Sequence, residues 1–467
     1  MAEAVVSIES TARSGASRES FVSLMRQVLA LGLPVLVEQT LHMGVGLNDT
    51  YLADHLPTHA ADAGAAVGTI AYFLWFVGLV VGSIGTGSAA IISRARGARH
   101  RSMANRVCGQ SVSAALIAGL MVGSGLFVFA RPLIVASALQ GDAAPLALSY
   151  LRMLSLSLPF TMTMFIAGAC LRGAGDTVTP ALVMVMVDIV NMVCSFALTR
   201  GWWGLPVMGF NGIALGTIIA YVVGGVVQFC VLLSGRGGAR LYLHRMRPHL
   251  HTIRRLMRIG IPAAVCDMLE WFANLAVIGV INHMDPTNAS AAAHMTTIRL
   301  EAISYMSGIA FGTAGATMVG ISLGMGDPRR ATRCAYAAYA VGGGLMTVMG
   351  ILFITLGRYP AQWLAPPQGN IIALTTRCLF ITGFIQSGFA ANLIFGGALR
   401  GAGDTFAVMR LNLISVISLR FSGVVYVGLI LKKGLPAIWC VLASELFIRG
   451  SIIYGRFLQG GWKRVRV

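Results

Sequence analysis

Long apolar runs limit this chain more than any other feature. Stretches near 20 residues recur from about residue 22 almost to the C-terminus, separated by short hydrophilic gaps. About 20 apolar residues in a helix cross the ~30 Å hydrocarbon core of a bilayer. Only 11% of the 467 residues are charged, against about 25% in a soluble domain. The 56 glycines let membrane helices approach closely. The expected fold class is an all-α polytopic membrane protein.

Segmentation gives twelve transmembrane helices, at about 22–50, 63–92, 105–130, 146–171, 177–200, 208–233, 256–282, 291–323, 332–357, 371–398, 404–431 and 436–458. Runs beyond about 25 residues imply tilt or kinks. The net charge of +18 would suit nucleic acid if it were clustered on one surface. Instead the basic residues sit in the gaps. Counting from a cytoplasmic N-terminus, the inner side holds Arg13, Arg18 and Arg26, then Arg94, Arg96, Arg99, Arg101 and Arg106. Arg236, Arg240, Arg245, Arg247, Arg254, Arg255 and Arg258 follow, then Arg329, Arg330 and Arg333, and finally Lys463, Arg464 and Arg466. The outer gaps hold only Arg131, Arg200, Arg358, Arg377, Lys432 and Lys433. This bias places both termini in the cytoplasm and the chain in the cytoplasmic (inner) membrane, with no nucleic-acid partner.

Residues 1–20 lack the apolar core of a cleaved signal peptide and read as a disordered cytoplasmic tail. The expected lobes are 21–233 and 256–458, joined by a basic cytoplasmic linker at 234–255 and followed by a basic tail at 459–467. The eight cysteines are scattered through apolar segments without CxxC spacing, so they read as small hydrophobes.

An internal repeat organises the spans. LRGAGDT occurs at Leu171–Thr177 and again at Leu399–Thr405, an offset of 228 in the numbering. Pro34 in GLPVLVEQTLH and Pro262 in GIPAAVCDMLE share that offset, and GTGSAAI at Gly85 and GTAGATM at Gly312 differ from it by one position. Each half carries six spans and enters the membrane in the same direction, which makes two pseudo-symmetric six-helix bundles of parallel-repeat type. Two such lobes can rock around a shared cavity. Asp176 and Thr177, like Asp404 and Thr405, precede apolar runs and suit helix starts.

Charged groups within spans cost about 2.5–3.5 kcal/mol each on insertion scales. Glu38, His42 and Asp49 share one face of the first span, and Asp267, Glu270 and Asn274 share one face of the seventh. Asp188 and Asn191 are three apart in the fifth, with no basic residue within a turn of Asp188. Glu301 lies two positions from Arg299, on a different face, whereas Glu445 and Arg449 are spaced to pair. Each carboxylate either bonds a neighbouring helix or serves transport. A carboxylate stripped of water takes a proton readily, several oxygens can hold Na+, and a cationic cargo competes for the same charge. Met43, Trp271, Phe272 and Tyr305 could offer a deformable apolar surface.

These segments also resemble a known family. GLPVLVEQ followed by GLNDT is similar to the start of multidrug and toxic compound extrusion (MATE) transporters, as are LRGAGDTVTP, GFNGIALGT, IRLEAISY with ISLGMGDPRRA, and GGWKRVRV, together covering 22–467. The resemblance implies two six-helix bundles around a V-shaped cavity and export driven by inward Na+ or H+ flow. It places Asp49 on the family's first-helix coupling carboxylate and Glu270, in LEWFANL, on a seventh-helix glutamate. Asn191 matches a fifth-helix asparagine of one subgroup. That subgroup carries an aspartate where Ser195 stands here, and Asp188 stands where many relatives carry asparagine, so Na+ and H+ both stay open.

The expected function is a secondary active antiporter, working as a monomer without cofactor, that exports organic cations in exchange for Na+ or H+. Asp49, Glu270, Asp188, Asn191, Asp267, Glu38, Glu301 and Asn274 are its candidate ion or substrate residues, with Na+ possible at Asp49, Asp188, Asn191 or Glu270. The rival is a flippase for lipid-linked precursors, which needs a basic cavity; Arg299 and Arg420 are available to it, but the acidic stripes oppose it. A channel or scaffold would show no saturable counterflow. No nucleophile–base pair, P-loop or metal motif points to an enzyme.

Overall fold

The computed structural model describes residues 19–465 apart from Thr58, Ala138, Gln140, Arg236, Pro286 and Pro367 and the side chains of Trp75 and Phe76. Arg13, Arg18, Arg236, Arg466 and nearly all of the tail expected at 1–20 lie outside the described residues. Twelve helices are long and apolar enough to cross a membrane. They are α1 (Phe21–Asp54), α2 (Ala60–Gly97), α3 (Arg101–Val128), α4 (Ala143–Gly173), α5 (Val178–Arg200), α6 (Phe210–Ser234), α7 (Leu250–Met284), α8 (Ala289–Gly324), α9 (Pro328–Leu356), α10 (Gly369–Gly401), α11 (Thr405–Ile430) and α12 (Leu435–Leu458). The chain is a multi-pass membrane protein, and no strand occurs among the described residues.

The repeat is visible in the elements themselves. Two short helices, Ala130–Ala136 and Arg358–Leu364, begin and end at the offset that separates the two LRGAGDT motifs. The duplicated glycines show why the motifs persisted. A Cβ on Gly173 of α4 would meet the Ala89 backbone of α2, and one on Gly401 of α10 would meet the Ala316 backbone of α8. In each half, therefore, the LRGAGDT motif is packed backbone-to-backbone on the GTGSAAI or GTAGATM motif, an approach only glycine permits. Gly175 and Gly403 then turn the chain at φ +88° and +85°. After the first turn Asp176 accepts the backbone N–H of Thr179 at 3.0 Å, the helix-start role expected of it. After the second, Asp404 instead receives Arg456 Nη2 at 2.8 Å.

The two compact units are the N unit, Val37–Gly260, and the C unit, which joins the chain up to Leu36 to Ile261–Val467. Both boundaries fall inside helices, beside Pro34 in α1 and Pro262 in α7. Proline removes one intrahelical hydrogen bond, so these are the weakest points of two long rods. The N unit centres on Leu52, Ile70, Tyr150, Leu151 and Ile213; the C unit centres on Phe311, Phe389, Ile394, Phe395 and Phe457. The basic C-terminal segment is anchored in that second core: Trp462 is fully buried, stacks on Phe457 at 4.9 Å and donates Nε1–H to its carbonyl. Of the cysteines, all free, Cys230 and Cys440 are exposed on the protein surface and Cys194 half-buried; the other five are buried.

The basic segment after α6 is strapped to α3. Buried Gln110 donates Nε2–H to the carbonyls of Arg245 (2.6 Å) and Arg247 (2.7 Å) and accepts the His249 N–H at 2.7 Å. Ser113 donates to the Met246 carbonyl at 2.6 Å. Gln110→Leu strands all three backbone groups and is expected to cost about 2–4 kcal/mol. Thermal unfolding in detergent reads that loss, and trypsin should cut faster after Arg245. Unchanged cleavage would show that Gln110 does not hold the strap.

Candidate functional site

In the N unit four helices bring polar groups to one buried carboxylate. Asp49, 4% exposed, comes from the C-terminal part of α1. Tyr150 of α4 donates its hydroxyl to Oδ2 at 2.8 Å. Thr217 of α6 donates to the same oxygen at 2.8 Å, with Oδ1 at 3.0 Å. Asn191 of α5 directs Nδ2 to Oδ1 at 3.4 Å, to Thr217 Oγ1 at 2.9 Å and to Ser195 Oγ at 3.4 Å. Asn48 donates to Asn191 Oδ1 at 2.8 Å. Asp49 is thus held by neutral donors, and among the described residues it forms no ion pair.

The remaining N-unit candidates do not bond to this cluster. Asp188 is half-buried; its Oδ1 has no partner among the described residues, and Oδ2 lies 3.2 Å from where a Cβ on Gly44 of α1 would sit. Glu38 sits farther along α1, bonded through Oε1 to Arg172 Nη1 at 2.5 Å. His42 meets Phe165 edge-on at 4.9 Å.

The C unit treats its carboxylates differently. Glu270 of α7 is clasped by two guanidiniums: Oε2 accepts Arg420 Nη1 at 2.8 Å, and Oε1 bonds Arg449 Nη1. Glu445, fully buried, pairs with Arg420 Nη2 at 2.7 Å and Arg449 Nε at 3.1 Å and accepts the Ser415 hydroxyl at 2.7 Å. Asn274 Oδ1 accepts Arg420 Nη1 at 3.3 Å. The spacing of Glu445 and Arg449 foretold one bond of this network, but not its closure through Glu270 and Arg420. Arg420 belongs to a π-helical segment of α11, Val416–Phe421, a local widening that re-aims side chains. Glu301 of α8 lies within electrostatic reach of Arg420, and Asp267 within reach of Arg400. Tyr305 and Phe272 are exposed on the protein surface and Trp271 half-buried.

The structure therefore brings Asp49 together with Asn191, and Glu270 with Asn274. Sequence reasoning missed Tyr150, Thr217 and Arg172 as partners. Thr217 closes the GFNGIALGT motif and could have been flagged there; nothing in the sequence singles out Tyr150.

The MatE family model matches residues 34–197 and again 262–425, so the duplication and the family boundary coincide. Among curated relatives, a probable multidrug resistance protein NorM of Thermotoga maritima is 27% identical over 96% of this chain and 95% of its own length. An uncharacterized transporter YisQ of Bacillus subtilis is 25% identical over 93% and 94%. The fold matches a crystal structure of MATE in the bent conformation at TM-score 0.85, with 16% identity over 96% of this chain and 99% of that one. It also matches an outward-facing multidrug resistance MATE family transporter at 0.86, with 16% identity over 96% and 100%.

The C-unit network yields a stability prediction. Arg449→Ala leaves Glu270 and Glu445 short of a counter-charge inside the bundle and is expected to cost about 3–5 kcal/mol. Thermal unfolding of the purified protein in detergent reads it. A variant within about 1 kcal/mol of the parent would mean that the network is not closed in the membrane.

Proposed function

Because the chain belongs to the MatE family of multidrug efflux transporters, we propose that it is a secondary active antiporter exporting organic cations in exchange for an inward-moving ion, with Asp49 as the coupling carboxylate. The reading places the chain in the cytoplasmic membrane with both termini inside, the two units alternating in access.

One observation carries it: Asp49 is buried yet neutralised by no cation among the described residues, whereas Glu270 already has two guanidiniums. Protonating Glu270 would leave Arg420 and Arg449 with surplus charge in an apolar bundle. Protonating Asp49 breaks no ion pair; Tyr150 and Thr217 need only rotate a hydroxyl. A group whose charge changes at so little structural cost can alternate between ion and cargo. Antiport follows when each ligand favours a different orientation of the protein.

Asp188 supports the same reading. It adds a second carboxylate to the α1–α5 side of the N unit, with one oxygen that no described group neutralises. Asn191 favours a proton over Na+ as the driving ion. Its Nδ2 turns toward Asp49 and its Oδ1 toward Asn48, so hydrogen-bond donors converge on the carboxylate. Na+ would need lone pairs there, supplied by Asp49, Thr217 and Tyr150 together with a reversed Asn191 amide. Of the two arginines available to the flippase rival, Arg299 and Arg420, the second is spent on Glu270 and Glu445.

Proteoliposomes test the proposal with a fluorescent organic cation. Uptake into inside-out-oriented vesicles should follow an imposed pH gradient and be indifferent to replacing Na+ by choline. Asp49→Asn should bring it to the level of protein-free vesicles while the protein remains folded. Transport that survives Asp49→Asn, or that follows the Na+ gradient alone, would overturn the corresponding half of the reading.

A further inference from the structure

A second polar site lies in the N unit, apart from the Asp49 cluster. Glu38, Met164, Gly168, Pro180, Met184 and Gln228 are among the residues that line a small recess. Its walls are mostly apolar, yet three polar atoms in them have no partner among the described residues: Glu38 Oε2 and both amide atoms of Gln228. Gln228 is 1% exposed and Glu38 8%. A buried amide without partners loses its bonds to water and gains none in return, so two such atoms on one side chain, beside a carboxylate oxygen in the same state, call for an occupant.

The occupant's chemistry follows from the set. Glu38 Oε2 and Gln228 Oε1 accept; Gln228 Nε2 donates. The complement carries two donors and one acceptor. It is electrically neutral, because Glu38 already faces Arg172 through Oε1 at 2.5 Å. Water meets each of these terms, and one buried water makes about three such bonds. The space open to water is about that of a single molecule.

Gly168 supplies the space. A Cβ there would lie 3.2 Å from Arg172 Nη1 and 3.8 Å from Gln228 Nε2, so both polar side chains reach over the place where a side chain is missing. The other half of the chain repeats part of the pattern. Arg400 is the repeat counterpart of Arg172, each following the leucine that opens an LRGAGDT motif. It lies within electrostatic reach of Asp267, and its Nε has no partner among the described residues. A carboxylate thus stands near an arginine at closely corresponding places of the two halves, and in each case a polar atom beside it is unsatisfied.

We propose that this recess is an internal water site: one resident water bonds Glu38 Oε2 and both amide atoms of Gln228 and keeps the Glu38–Arg172 ion pair hydrated inside the N unit.

Hydroxyl-radical footprinting of the full-length protein in detergent tests this, because radicals formed from a resident water oxidise the side chains beside it. Met164 and Met184 line the recess and are 5% and 2% exposed; Met162 and Met318 are 0% and 2% exposed and do not line it. Met164 and Met184 should form sulfoxide several-fold faster than Met162 and Met318. Brief mixing into H2 18O before irradiation separates the sources: resident water leaves 16O in the first product, whereas open solvent leaves 18O at once. Gln228→Leu, or Gly168→Val if the leucine variant is not recovered, should return both methionines to the rate of Met162. Equal rates in the parent protein, immediate 18O, or unaltered labelling in a folded Gln228→Leu variant would each overturn the proposal. None of these results bears on Asp49, whose bonds do not involve the recess.

Discussion

A carboxylate inside an apolar helix bundle has to be met by donors or by opposite charge, and this chain uses both solutions, one in each half. Around Asp49 the donors are neutral: two hydroxyls and an amide from three other helices. Around Glu270 they are guanidiniums, which carry a second carboxylate, Glu445, with them. The first arrangement leaves a charge that can be added to or removed. The second balances two anions against two cations, and changing any one member strands the rest. The partners distinguish the two sites.

These partners converge because the backbones are held close. Gly173 against Ala89 and Gly401 against Ala316 bring α4 to α2 and α10 to α8 at distances that exclude a side chain. With α4 fixed, Tyr150 near its start points at Asp49, and Gly168 and Arg172 near its end frame the recess at Glu38. One helix, positioned by small residues, thus serves two polar sites, one toward each of its ends. Packing of this kind suits a membrane, where lipid tails compete with apolar side chains and close backbone approach carries association.

Much of this was legible in the sequence. The twelve spans, the repeat and the acidic stripes follow from periodicity and spacing, because helices in a bilayer expose those patterns without interference from loops. Asp49 and Asn191, both candidates from the sequence, meet in the structure. What the sequence hid is tertiary. Tyr150 looks like any aromatic in an apolar run. Arg420 reaches Glu270 from a π-helical turn, which shifts the register that a helical wheel assumes. The unit boundaries lie at Pro34 and Pro262, inside helices, where a reading based on hydrophilic gaps does not look. The segment after α6 has linker composition, yet one buried glutamine ties it down.

The repeat also shows where the halves parted. Thr217, which bonds Asp49, and Glu445, which bonds two arginines, occupy equivalent positions of the two halves; the same offset takes Asp49 itself to Val277, a buried core residue. So the C unit has no acid at the equivalent point of its seventh helix, and it has one on its twelfth helix where the N unit has a hydroxyl. The frame was kept, down to its glycines, while the polar positions exchanged roles. If both halves coupled to the ion in the same way, the equivalent residues would present the same kind of charge to it. They do not: Asp49 is met by hydroxyls and an amide, whereas Glu270 and Glu445 are met by two arginines. The asymmetry lies in side chains that close packing leaves free to vary.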